Sequence, residues 1–303
     1  MKILCPLSPE IYQKFENLID NGVDEFYMGY LMDNVSFGKH LSRRSGTKSN
    51  FESIETAIEA IRKIKKYNKS VFITFNQKYY LDEHIKKIIS DTERLIEENI
   101  DAVIVSDINL IIKLRENFQK LKMIASTVRV STNSNSMKFF EDLGISKFVL
   151  SAALRINEIN EIIENNKDRE FEIFIKNERC PNIDGLCNLS HEVIRSKYIT
   201  PCLSLKCSPG ILDKSQMFNE GACGICSIYD LKNSGNVSLK ISGRPRSADN
   251  INKDVLFIGN ALKTIRENNK ISREEYKEKM KKEFIKIYGY DCNENCYYEG
   301  RYE

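Results

Sequence analysis

The sequence lacks any apolar run longer than a strand, stretches such as AVIV at 102–105 being among the longest, so no transmembrane helix is expected. Its start, MKILCPLSPE, holds no apolar core of signal-peptide length, and a cytoplasmic location is the expectation. An excess of one charge is also missing: 46 Lys+Arg stand against 43 Asp+Glu, a net charge of +3. That balance argues against affinity built mainly on a basic nucleic-acid patch, while leaving a local patch open. At 41% hydrophobic and 29% charged residues the composition is that of a globular chain and not a disordered one. Hydrolytic signatures are absent too. His191-Glu192 is followed at position 195 by Arg instead of a second His, and there is no G-x-S-x-G elbow or Gly-rich phosphate loop. Cys187 and His191 are near in sequence, but within a cysteine-rich stretch they read as ligand and bystander, not as nucleophile and base. His84, early in a predicted helix, reads as a surface residue.

What the chain does have is cysteine, nine in all. In a reducing compartment a disulfide framework is not expected, and metal ligation or redox chemistry becomes the leading role. Cys5 stands alone near the start. Cys180, Cys187, Cys202, Cys207, Cys223 and Cys226 crowd into a stretch punctuated by Gly and Pro, and Cys292 and Cys296 follow near the end. Cys223-Gly-Ile-Cys226 is a C-x2-C beside further cysteines, a pattern suited to thiolate ligation of zinc or of an iron–sulfur cluster. Spacing does not decide between the two. His191 is the one histidine in that region, which favours a thiolate-rich site over a mixed one. The cysteines also suffice for two four-thiolate sites.

Hydrophobic period predicts strands at 2–7, 25–30, 71–76, 101–107, 122–128, 147–152, 170–176 and 237–242. Between them lie helix-spaced stripes: Phe51, Ile54, Ile58 and Ile61; Ile85, Ile88, Ile89, Leu95 and Ile96; Ile111, Leu114 and Phe118. Ser134 and Asp82 stand where helices should start. The alternation predicts an α/β chain, a parallel (β/α)8 TIM-like barrel over 1–266, with a doubly wound open sheet as the rival. The long gap before the eighth strand predicts a cysteine-rich insertion, 178–230, of the kind that belongs to a site. Helical spacing at 249–266 and 273–287 predicts a helical extension, 267–303, ending in a Cys-containing tail.

In such a barrel the active site gathers at the C-terminal strand ends. The candidates there are Asn76, Ser106, Asp107, Ser126, Thr127, Ser151, Lys176 to Glu178, and Lys240. On the last strand Val237, Leu239 and Ile241 should meet the helices, which points Lys240 inward. With Arg244 just beyond, it offers a clamp for a carboxylate or phosphate; the alternative is that Lys240 pairs with Glu172 or Asp107 and Arg244 is solvated. The loop 31–50, carrying His40, Arg43 and Arg44, reads as a substrate lid or as a mobile basic loop. Were RNA the substrate, Lys39, Arg43, Arg44 and Lys48 would form its basic face.

Several stretches together resemble the collagenase-like peptidase family U32: NGVDEFYMG at 21–29, TFN at 74–76, AST at 125–127, NSMKFFEDLGISKFVLS at 135–151, CPNIDGLCNLS at 180–190 and SLKISGR at 238–244. The resemblance spans roughly residues 1–265. It implies a βα barrel and, from several members, oxygen-independent hydroxylation of ubiquinone precursors or of tRNA and rRNA bases. It further implies a [4Fe–4S] cluster on four cysteines, with prephenate as the source of the hydroxyl. Cys180, Cys187 and Cys202 then take three cluster positions, and Cys226 the fourth, ahead of Cys223 and Cys207. Lys240 and Arg244 would bind carboxylates, with Asn76 and Arg44 as further site residues. The family's Arg-Gly-x-Cys segment has no clear counterpart; Tyr198-Ile-Thr-Pro-Cys202 stands near its place. The rival functions are a true peptidase and a non-catalytic, cluster-bearing partner of a homologous subunit; zinc is the rival metal, and a small molecule is the expected substrate, with RNA the less favoured alternative.

Overall fold

Alternation along eight short strands sorts the side chains into two cores in this protein, seen here in a computed structural model that describes residues 1–33, 41, 46–129, 131–177, 222–292 and 296–298. The strands are β1 (Lys2–Pro6), β2 (Glu25–Met28), β3 (Ser70–Phe75), β4 (Ala102–Val105), β5 (Met123–Ala125), β6 (Ile145–Val149), β7 (Glu170–Lys176) and β8 (Val237–Ile241). They pair in parallel and in chain order, and β8 returns to β1 with Leu239 opposite Ile3. That last pairing closes the barrel and excludes the open sheet.

The helices are α1 (Pro9–Tyr12), α2 (Phe15–Asp20), α3 (Ile54–Lys66), α4 (Asp82–Glu97), α5 (Ile108–Asn117), α6 (Ser134–Asp142), α7 (Ile156–Glu164), α8 (Ala248–Glu267) and α9 (Arg273–Tyr288). Outward-facing Phe26, Met28, Ile73, Val103, Leu239 and Ile241 join the helix stripes in a large outer core. Helix α3 is typical: Ser53 caps it through the Thr56 N–H at 3.3 Å, and Ile54, Ile58, Ile61 and Ile64 are buried. Two expected start signals are displaced by one residue. Asn133, not Ser134, caps α6, and Leu81 precedes α4 with its N–H donated to His84 Nδ1 at 3.1 Å. His84 is therefore buried and not on the surface, because its ring satisfies a backbone donor at the helix entrance.

Inside the barrel a second, small cluster holds Leu4, Tyr27, Phe72, Ala102, Ile104, Ile124 and Val149. Around it stand ionised side chains. Lys147 reaches Glu25 at 3.2 Å and Glu172 at 3.8 Å, and Lys240 reaches Glu172 at 2.5 Å. Ser238 donates to Glu25 at 2.7 Å and accepts from Lys147 at 2.7 Å. A register shift where β5 meets β6 places Lys147 opposite the inward Ile124. A second shift, between Phe174 and Lys176, places Lys176 opposite the outward Ile241. Lys176 thus leaves the mouth and lies 3.5 Å from Asp254 of α8 and 4.7 Å above the Tyr288 ring of α9. Asn177 follows it, donating to Asp254 at 2.7 Å.

The described part of the C-terminal extension grips the segment that carries the C-x2-C. Tyr276 donates to the Ile225 carbonyl and Tyr229 to the Ile271 carbonyl, both at 3.1 Å, and Arg273 makes a two-pronged contact with Asp230. Cys223 pairs as an isolated bridge with Lys176 on one side and with Cys296 on the other. Among the described residues no helix is long and apolar enough to cross a membrane.

The inner charges give a pH signature. Burial pushes the Glu25 carboxyl up, but Lys147, Ser238 and Lys2 outweigh it, and its pKa lies below the ordinary 4.5. A carboxyl lowered in this way contributes stability above the unfolded value that is lost as pH falls through the folded one. Glu25→Gln is expected to cost about 3 kcal/mol at neutral pH, as for one broken partner of a buried pair, and to flatten the loss of stability below pH 4.5. Urea unfolding of both proteins across that range checks it; an unchanged acid slope contradicts the assignment.

Candidate active site at the barrel mouth

Arg244, just past β8, is buried at the C-terminal end of the barrel. Its Nη1 donates to Asn50 Oδ1 at 3.0 Å and to Thr74 Oγ1 at 3.2 Å. Thr74, on β3, passes its own proton to the Met28 carbonyl at 3.0 Å. Asn50 arrives from the end of the long loop after β2, whose return is pinned where Phe51 pairs with Tyr30 and donates to the Gly29 carbonyl at 2.9 Å. Gly29 is what lets these groups meet. A Cβ there would lie 2.6 Å from Arg244 Nη1, 2.6 Å from Asn50 Oδ1 and 2.8 Å from Thr74 Oγ1, all inside van der Waals contact. Two neutral oxygens thus hold one corner of a guanidinium whose fork suits a carboxylate or phosphate.

Lys240 does not share that place. It stands inside the barrel against Glu172, 4.5 Å from the Tyr27 ring, so the structural pairing offered as the alternative is the one present. Burial drives its pKa below the ordinary lysine value, against the pull of Glu172, and the nearby charges of Lys147 and Arg244 add to the lowering. Arg244 for its part is not solvated.

The other strand-end candidates shape the rim. Asn76 is half-buried at the end of β3. Ser106 donates to the Gln77 carbonyl, and Asp107 caps α5 by accepting from Leu110 at 2.8 Å. Ser151 accepts from the Ala153 N–H at 3.2 Å and Ser126 from Val128 at 3.5 Å, while Thr127 is buried beside them. A second cation was not foreseen: half-buried Arg129 donates from Nε to the Ser106 carbonyl. Its signal was faint, a lone Arg two residues past the AST stretch. Gly29 and Thr74 do lie in stretches that carry the family resemblance, but nothing in a single sequence says that they face Arg244.

Of the expected metal ligands, Cys223 and Cys226 are described, both half-buried thiols, Cys226 opening a 3-10 turn over Cys226–Ile228. Burial pushes the Cys223 thiol up, partly offset by Lys176. Cys180, Cys187, Cys202 and Cys207 lie outside the described residues, as do His40, Arg43, Arg44, Glu178 and His191. Among the described residues no three metal-capable side chains form a site. The donor set still suits a thiolate-bound group: the backbone of the C-x2-C is fixed by Gly224 N–H to Ile175 and by Tyr276 to Ile225.

A family model described as peptidase family U32 matches residues 10–302. A tRNA hydroxylation protein P of Haemophilus influenzae is 36% identical over 106 residues, which is 35% of this chain and 23% of that protein. The tRNA hydroxylation protein P1 of Bacillus subtilis is 26% identical over 184 residues, 60% of this chain and 40% of that protein. The chain therefore covers less than half the length of these relatives. A solved U32 peptidase superposes with a TM-score of 0.48 at 12% identity, over 80% of this chain and 93% of that one.

The Gly29 contact predicts an energetic coupling. Gly29→Ala should destabilise the protein by about 1–3 kcal/mol, the cost of overpacking. In an Arg244→Ala background that cost should fall measurably, because one of the three clashing groups is gone. Thermal or urea unfolding of the double-mutant cycle reads the term directly; additive costs contradict the close approach.

Proposed function

The chain belongs to peptidase family U32, and from that premise we propose that it serves oxygen-independent hydroxylation, or a related redox modification, of an RNA substrate presented at the barrel mouth. Two relatives whose names specify tRNA hydroxylation support the reaction class. The observation that carries the reading is the Arg244 corner: a buried guanidinium held by Asn50 and Thr74, over a glycine whose missing Cβ lets the three groups meet. Such a group binds a carboxylate with defined orientation, and prephenate, as hydroxyl source, presents carboxylates.

Cys180, Cys187, Cys202 and Cys226 are the residues to hold a [4Fe–4S] cluster, with Cys223 and Cys207 as alternatives for the fourth position. When bound, the cluster supplies one-electron chemistry at a potential set by its hydrogen bonds and exposure. The chain's own contribution is positional. Arg244 orients the anion, the rim turns built on Ser106, Ser126 and Ser151 shape the opening, and α9 holds the Cys226 turn in place through Tyr276. The collagenase-like peptidase reading gains nothing from the described site: His84, the one described histidine, is engaged at the start of α4.

Protein purified without oxygen should carry about four irons per chain with matching sulfide. Incubated with unmodified tRNA and prephenate, it should yield a nucleoside one oxygen atom heavier by mass spectrometry. Cys226→Ser should lose both, whereas Arg244→Lys should keep the iron and lose at least tenfold in product, the scale of a two-pronged charged contact. Stoichiometric zinc with unchanged tRNA contradicts the proposal. Product formed only with a homologous subunit added would assign this chain the partner role.

A further inference from the structure

Tyr79 is the most exposed of the large hydrophobic side chains described, at 76%, and Leu81 beside it is 50% exposed. The ring stands on the turn between β3 and α4, at the mouth end of the barrel. Its backbone is held from several directions. Tyr80 accepts from the Gln77 N–H at 3.1 Å and donates to the Leu41 carbonyl, and Ser106 donates to the Gln77 carbonyl. The turn therefore displays an exposed aromatic ring.

The same contacts bring positive charge to one flank. On one side Ser106 bridges Gln77 to Arg129, whose guanidinium sits on the Ser106 carbonyl. On the other, Tyr80 donates to the Leu41 carbonyl of the loop after β2. Lys78 adjoins the ring in sequence. Acidic Asp82 and Glu83 open α4 beyond Leu81, so a polyanion has reason to run on the Arg129 side instead of across the helix. From Thr74, which touches Arg244, to Tyr79 is five residues, at most about 17 Å of chain.

An exposed aromatic beside cations is the arrangement that receives unpaired nucleobases: the ring stacks on a base of any identity, and the cations take the phosphates. We propose that Tyr79 is a stacking platform for a single-stranded nucleotide of the RNA substrate, next to the one presented at the Arg244 corner. The inference rests on the RNA reading above and adds to it the form of the substrate, unpaired at the mouth, and the residue that selects it.

The chain has no tryptophan, so Tyr79→Trp installs a single fluorophore at the platform. Its emission should be quenched, saturably, by a short oligouridine and far less by duplex RNA of equal length. By fluorescence anisotropy with a labelled oligouridine, Tyr79→Ala should bind about tenfold more weakly, the loss of one stacked base, while Tyr79→Phe keeps the parental affinity. Emission that is unchanged while anisotropy reports binding overturns the platform and leaves the RNA reading standing. No binding of any RNA by the parent protein overturns both. A change in emission that follows protein concentration without RNA assigns the ring to self-association and likewise overturns the proposal.

Discussion

Four charges that cannot leave the barrel govern the rest of this fold. Glu25, Lys147, Glu172 and Lys240 come from β2, β6, β7 and β8, and each is almost wholly enclosed. An enclosed charge is tolerable only when its partner is in place, and loss of one partner costs several kcal/mol. The two carboxylates and two ammoniums therefore have to meet, with Ser238 bridging Glu25 and Lys147. That requirement relates β2, β6, β7 and β8 across the lumen in a way apolar packing alone does not, since Leu4, Phe72 and Ile124 tolerate neighbours of many shapes. The mouth inherits its frame from the same strands: Arg244 follows β8 by three residues, and its charge is one of those acting on Lys240.

Period and spacing make the barrel legible because both its signals are local. The eight strands fall close to their expected positions, and Val237, Leu239 and Ile241 do face the helices. What local pattern does not carry is a break in pattern. Strict alternation along β7 keeps Lys176 on the inner face with Phe174, yet a register shift turns it out to Asp254. The shift at β6 brings in Lys147, a residue that no spacing argument singles out. The Arg244 corner was half visible for a related reason. Arg244 stands near a strand end and was noticed; Asn50 and Thr74 lie 194 and 170 residues away, and only closure of the barrel brings them to it. Gly29 is required by what surrounds it, and surroundings are not written in one chain's sequence.

The cysteines tie the C-terminal tail to β7. The C-x2-C segment leans on β7 through Lys176 and Gly224, and the tail leans on it through Cys296 and Tyr297, whose N–H donates to the Cys223 carbonyl at 2.9 Å. Tyr288 and Asn177 share the two oxygens of Asp254, binding α9, β7 and α8 into one support beneath that segment. The C-x2-C segment thus rests on β7, and the Arg244 corner on the ends of β2, β3 and β8.

Hydrogen–deuterium exchange on anaerobically prepared protein, with and without prephenate and a short single-stranded RNA, addresses the mouth assignment most directly. Ligand should slow exchange in the backbone around Gly29 to Leu31, Thr74 to Tyr80 and Ser242 to Arg246, where Arg244, its supports and the Tyr79 turn lie. Protection confined to the opposite end of the barrel, around the cleft lined by Asp24, Lys69 and Arg266, would contradict the account.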